Sequence, residues 1–142
     1  MSKKIKVLIV DDAPSNIEVL KTMMEKLGIS DILTSDNGFE AIDIAIKHQP
    51  DVIFLDIVMP FLDYTTPLLD GIQALKMLKA IETTKGINII MVSGNLDHQN
   101  LATALKHGAA DCISKPFLIA TLNEKLVKLY PHIFGDTLGE TL

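Results

Sequence analysis

Three short runs of this chain are apolar at every position: Val7–Val10, Val52–Leu55 and Ile89–Val92. A strand with one wet face alternates polar and apolar residues. A run without alternation is buried on both faces, the condition of a strand inside a parallel sheet. Extended, these runs read as strands at Lys6–Val10, Val52–Leu55 and Ile87–Val92, and Ile32–Thr34 and Cys112–Ser114 read as two more. Between them the apolar residues recur at helical spacing: Ile17, Leu20, Met24 and Leu27, then a stop at Gly28. Phe39, Ile42 and Ile46 mark a second helix, and Ile72, Leu75 and Leu78 a third. Leu101 and Leu105 mark a fourth, and Leu122, Leu126 and Leu129 a fifth. Five strands alternating with five helices predict an α/β domain, a parallel sheet covered on both faces. Right-handed crossovers leave few topologies, and the doubly wound order 2-1-3-4-5 is the natural candidate. In such sheets ligands sit beyond the carboxyl ends of the strands, where the strand order reverses.

The 142 residues suffice for one domain with a core that needs no disulfide or structural metal. The expected folded unit is 1–130. The remaining 131–142 is too short for an output domain and is expected to pack or fray. Cys112 is the only cysteine, which excludes an intrachain disulfide and a thiolate metal cluster. A net charge of −5 without a basic stripe speaks against direct nucleic-acid binding. No apolar stretch is long enough to insert in a membrane, and the start lacks the long apolar region of a secretory signal. A cytoplasmic location is expected.

Chemistry gathers at one edge. Asp11 and Asp12 end the first strand, Asp56 the third, Ser93 the fourth and Lys115 the fifth. Three carboxylates brought together repel one another, and a hard divalent cation is the simplest way to hold them ionised. Mg²⁺ suits them, since it accepts few carboxylates, keeps waters and bridges to phosphate oxygens. Asp56 can then act as a carboxylate nucleophile towards phosphorus. The transferring group spreads charge over its equatorial oxygens, which Mg²⁺, the Lys115 ammonium and the Ser93 hydroxyl with nearby backbone N–H groups would meet.

Each residue also has an ordinary reading. Asp12 before Ala13-Pro14 could be a helix N-cap. Asp56 could be a polar strand end, Ser93 before Gly94 a turn hydroxyl, and Lys115 a solvated lysine. Only the joint pattern outweighs these. The four histidines have no partner at ligand spacing and read as structural or solvated.

The same residues carry a family resemblance. Val10-Asp-Asp12, Leu55-Asp56 with Met59-Pro60, Asp70-Gly71, Ser93 after an apolar strand and Lys115-Pro116-Phe117 resemble the response-regulator receiver signature of two-component systems. The resemblance covers roughly residues 5 to 129 and implies the flavodoxin-like receiver fold. It implies Asp56 as phosphoacceptor, with Asp11, Asp12, Asp56 and the Val58 backbone carbonyl around Mg²⁺. It assigns Ser93 to the switch hydroxyl and Lys115 to the phosphate contact, with a cis bond between Lys115 and Pro116. The implied partners are a histidine kinase or histidine phosphotransfer protein as donor and a separate downstream protein. The binding face in relatives is commonly the fourth helix, fifth strand and fifth helix.

Three departures from the pattern stand out. Cys112 occupies the switch position that usually holds an aromatic, and reads as a small buried thiol. Phe61 to Leu69 lengthen the loop after the third strand, which either extends the surface or shapes partner choice. Val58 and Asn95 stand two residues after Asp56 and Ser93, where relatives tune water access; an apolar Val58 favours a longer-lived phosphoryl group.

The competing readings separate on single residues. A phosphorylation-independent interaction module gains from Cys112 and loses from the intact acidic set. An aspartyl phosphatase or other phosphotransfer enzyme needs a second acid–base carboxylate where Val58 stands. A nucleotide binder needs a glycine-rich loop after the first strand, where Asp11 and Asp12 stand instead.

Overall fold

The computed structural model describes residues 3–59, 70–94 and 98–135. The elements alternate strictly: β1 (Lys3–Val10), α1 (Pro14–Lys26), β2 (Ile29–Ser35), α2 (Gly38–His48), β3 (Val52–Asp56), α3 (Gly71–Ala80), β4 (Asn88–Ser93), α4 (His98–Lys106), β5 (Asp111–Ser114) and α5 (Ile119–Leu129). All pairings are parallel, and the sheet order is β2-β1-β3-β4-β5, as the alternation predicted.

Side chains alternate faces along a strand, so each apolar run feeds two cores. Leu8, Val10, Ile53, Leu55, Ile89 and Met91 pack under α2, α3 and α4, against Ala41, Ile42, Ala45, Ala74, Leu75, Leu78 and Ala104. Val7, Ile9, Val52, Phe54, Ile90 and Val92 face the other way, onto Leu20 and Met24 of α1 and Leu122 and Leu126 of α5. Both faces are covered, which is why the runs show no polar alternation.

Local signals set the helix ends. Asn37 caps α2, its side chain accepting from the Glu40 N–H at 2.8 Å. Asp70 caps α3 in the same way through the Gln73 N–H at 2.8 Å. Gly28 follows α1 at φ +93°, a conformation open to glycine at little cost. The N-cap of α1 is Ala13, without a side-chain bond, so Asp12 does not serve as that cap.

Other expectations need adjusting. β1 begins at Lys3 and β2 spans Ile29–Ser35, both longer than the apolar pattern shows. Their ladder runs out to Lys3 opposite Ile29, where buried Ile5 and Ile29 alternate with polar residues that break the apolar run. Phe39 and Ile46 of α2 are 45% and 44% exposed, and Leu105 of α4 is also exposed. The inner face of α2 runs through Ala41, Ile42 and Ala45, and the two alanines let the helix approach the sheet.

The segment after α5 packs as far as it is described. Pro131–Gly135 form one π-helical turn, and Phe134 is 1% exposed within the α1/α5 core. The Lys3 ammonium lies 4.4 Å from the centre of its ring. Tyr130 donates from its hydroxyl to the Asp51 carbonyl and accepts from the Asn88 amide, both at 2.9 Å. The long loop at 61–69 and Asn95 lie outside the described residues. Among the described residues no helix is long and apolar enough to cross a membrane.

Candidate functional site

Register builds the site. Val10 pairs with Leu55, and Asp56 pairs with Val92, so Asp11 and Asp56 leave adjacent strands at one level. Ser93 comes one position later, opposite Ser114, and Lys115 follows directly. The Lys115 N–H donates to the Ser93 carbonyl at 2.8 Å, tying the ends of β4 and β5 together. The Lys115–Pro116 bond is cis.

Asp11, Asp12 and Asp56 converge: one ligand-capable oxygen from each lies within 4.8 Å of the others. Asp11 and Asp56 are buried and Asp12 is exposed at the mouth. The Lys115 ammonium lies 3.2 Å from Asp11 Oδ2 and 3.4 Å from Asp56 Oδ2. Asp11 is held by its other oxygen, Oδ1, which accepts from the Ala13 N–H at 2.9 Å and the Asn16 amide at 3.4 Å. Its Oδ2 is buried without a hydrogen bond, and the lysine is its counter-charge. Asn16, on the first turn of α1, is a site residue that apolar spacing could not reveal.

The electrostatics follow from this crowding. Burial first, and then the Asp11 charge, push the Asp56 carboxyl up to about 6, although Lys115 pulls against both. Asp12 is raised by the same two causes in the same order. Burial alone would lower Lys115, but the carboxylates of Asp56 and Asp11 outweigh it and raise the ammonium. The pocket is therefore over-supplied with negative charge, and one lysine compensates it in part.

The sequence-predicted residues thus come together. Asp11, Asp12, Asp56 and Lys115 form one cluster, and Ser93 is buried at the end of β4 beside it. Val58 sits in the turn after β3, 67% exposed, its N–H 3.4 Å from Asp56 Oδ1. Cys112 is buried in the α2/α3/α4 core as a small thiol, and burial raises its pKa.

Fold and site together define a class: a doubly wound α/β domain with a lysine-flanked acidic pocket at the strand carboxyl ends. The chain matches the response regulator receiver domain over residues 7–127 and belongs to that family, the receivers of two-component signalling. It is 31% identical over 135 residues to the chemotaxis protein CheY homolog of Campylobacter jejuni, covering 95% of this chain and 96% of that one. It is 33% identical over 125 residues to protein PilH of Pseudomonas aeruginosa, covering 85% and 97%. Among solved structures, the receiver domain of the Pseudomonas aeruginosa sensor histidine kinase PA1611, with a magnesium ion coordinated in its active-site cleft, superposes with a TM-score of 0.75. That pair is 26% identical over 90% of this chain and 97% of the other.

Proposed function

We propose that Asp56 accepts a phosphoryl group from a histidine kinase or histidine phosphotransfer protein, with Mg²⁺ bound beside it. The change in partner binding, or onward relay of the group, is the output. The observation that carries this reading is the convergence of three carboxylates with the Lys115 ammonium set against Asp56. The donors fit the ion: all are hard oxygens, and the Asp11 Oδ2 atom is buried without a hydrogen bond. Asp11, Asp12, Asp56 and the Val58 carbonyl would hold it, and the ion supplies charge neutralisation at a phosphoryl oxygen.

The chain's own residues do the rest. An Asp56 oxygen attacks phosphorus in line, an acyl phosphate bond forms, and the bond to the donor imidazole breaks. Lys115 meets a second phosphoryl oxygen and Ser93 a third. Those contacts favour one of two pre-existing conformations, which is the switch. The phosphotransfer chemistry is limited to the group carried on Asp56, its uptake, loss to water or onward relay, and a cytoplasmic site of action matches a kinase donor.

The decisive experiment treats wild type and Asp56→Ala with BeF₃⁻ and Mg²⁺, follows acetyl-phosphate labelling, and screens partners in both states. Labelling confined to the wild type, with partners that change, supports the reading. Wild type that takes up neither reagent overturns it. That outcome favours the alternative, a phosphorylation-independent interaction module, which the buried Cys112 at the switch position also favours.

A further inference from the structure

The backbone that carries Asp56 is gripped from both sides. The Ile57 N–H donates to the Val92 carbonyl at 2.9 Å, and the Ile57 carbonyl accepts from the Gly71 N–H at 2.9 Å. Gly71, the first residue of α3, is buried and lies flat on the peptide joining Asp56 to Ile57. A methyl group on Gly71 would overlap the Asp56 carbonyl oxygen and come within 2.7 Å of the Ile57 Cα. Both obstacles are backbone, so no rotamer change relieves them. Gly71 has no positive φ; what glycine supplies here is close approach alone.

Neither side of this contact is free to retreat. α3 is anchored through Ala74, Leu75 and Leu78 in the core, and its first turn is closed by Asp70. The strand side is anchored by β4. A side chain at position 71 must therefore displace the Asp56–Ile57 peptide. That peptide aims the Asp56 carboxylate on one side and leads to Val58 on the other.

We infer that Gly71 is a positioning residue for the acidic pocket: by seating α3 on the Asp56–Ile57 peptide it sets the geometry in which Asp56 and the Val58 carbonyl meet a metal ion. The inference rests on the proposed metal-binding role of those residues. Its test reads Mg²⁺ binding alone, without phosphorylation, by amide chemical-shift titration of the full chain. Gly71→Ala is compared with Gly86→Ala, since a methyl group on Gly86 meets nothing within 4 Å.

In folded Gly71→Ala the Mg²⁺ Kd rises by about 10-fold or more, the size of effect seen when groups that orient metal ligands are removed. The Ile57 and Val58 amides shift in the metal-free protein, and Gly86→Ala matches the wild type. Should Gly71→Ala not fold, Asp70→Ala loosens the same turn without adding an atom. It weakens Mg²⁺ binding, and Asp70→Ser, which keeps a cap, restores it. A folded Gly71→Ala that binds Mg²⁺ like the wild type overturns this inference alone, as does an unaffected Asp70→Ala where Gly71→Ala cannot be made. A wild type that fails to bind Mg²⁺ overturns the parent reading as well.

Discussion

The Lys115 ammonium stands 3.4 Å from Oδ2 of Asp56, across a sequence separation of 59 residues, and it bridges at 3.2 Å to Asp11. One cation thus serves two buried carboxylates. Lys115→Met keeps most of the unbranched stem and removes that charge. Acetyl-phosphate labelling of Asp56 should slow by about 100-fold, the usual cost of losing one group that stabilises the transferring oxygens. Initial labelling rates at saturating Mg²⁺ check this, and a rate close to wild type would remove Lys115 from the phosphate contact.

Asp56 itself should be a stability burden in the metal-free protein. Its folded-state pKa of about 6 lies above the ordinary 3.8. Between those values the folded state holds a proton that the unfolded chain has released. Its contribution therefore falls as pH rises through that window, and the full cost is present above about pH 6. Asp56→Asn should be more stable than the metal-free wild type at pH 7.5, by about 1–3 kcal/mol. The two proteins should converge near pH 3.5. Asp12 is present in both variants, so its shift cancels in the difference. Urea melts across the range decide it, and equal stability at pH 7.5 would contradict the raised value.

On the proposed reading, adding Mg²⁺ should reverse that order. The wild type should gain stability from an ion bound to the folded state only, and Asp56→Asn should gain less if Asp56 is one of its ligands. Protons compete for the same oxygens, so Mg²⁺ affinity should weaken as pH falls below about 6. Melting temperatures with and without Mg²⁺ at two pH values give the comparison; identical gains in the two proteins would count against Asp56 as a ligand.

The turn after α5 belongs to the fold. Phe134→Ala removes a fully buried ring and should cost about 3–5 kcal/mol. Ending the chain after Tyr130 should cost at least as much, because it also exposes the face of α1 and α5 beneath Phe134. Denaturant unfolding measures both, and a truncated chain as stable as the full one would return the boundary to residue 130.

Val58 carries no group able to orient water and stands exposed beside Asp56. The phosphoryl group should accordingly outlast a time of seconds, and Val58→Asn, which offers a hydrogen-bonding amide, should shorten its life. Decay of the labelled protein after removal of acetyl phosphate measures both lifetimes; an unchanged or longer one in the variant would detach this position from hydrolysis.

Much of this molecule is legible in its sequence, for a definable reason. Val7–Val10, Val52–Leu55 and Ile89–Val92 record burial on two faces, and burial is the one tertiary fact that hydrophobicity writes locally. Parallel order, the edge bearing the site, and the residues Asp11, Asp12, Asp56, Ser93 and Lys115 follow from it. Other features were decided only by the fold. Phe39 and Ile46 keep helical spacing yet face outward, because the sheet admits Ala41 and Ala45 more closely. Phe134 becomes core because α5 delivers it beside Lys3, and Gly71 meets Asp56 because α3 is anchored from below. The acidic pocket lies between these cases. Its members could be named from the chain, but the register of β1, β3, β4 and β5 set the distances among them. Burial at that edge, and then the nearness of Asp11, raise Asp56 towards neutrality, and the same register places Lys115 against it. Spacing along a chain encodes which face a side chain takes; contact between elements depends on how whole layers seat, and no single segment carries that information.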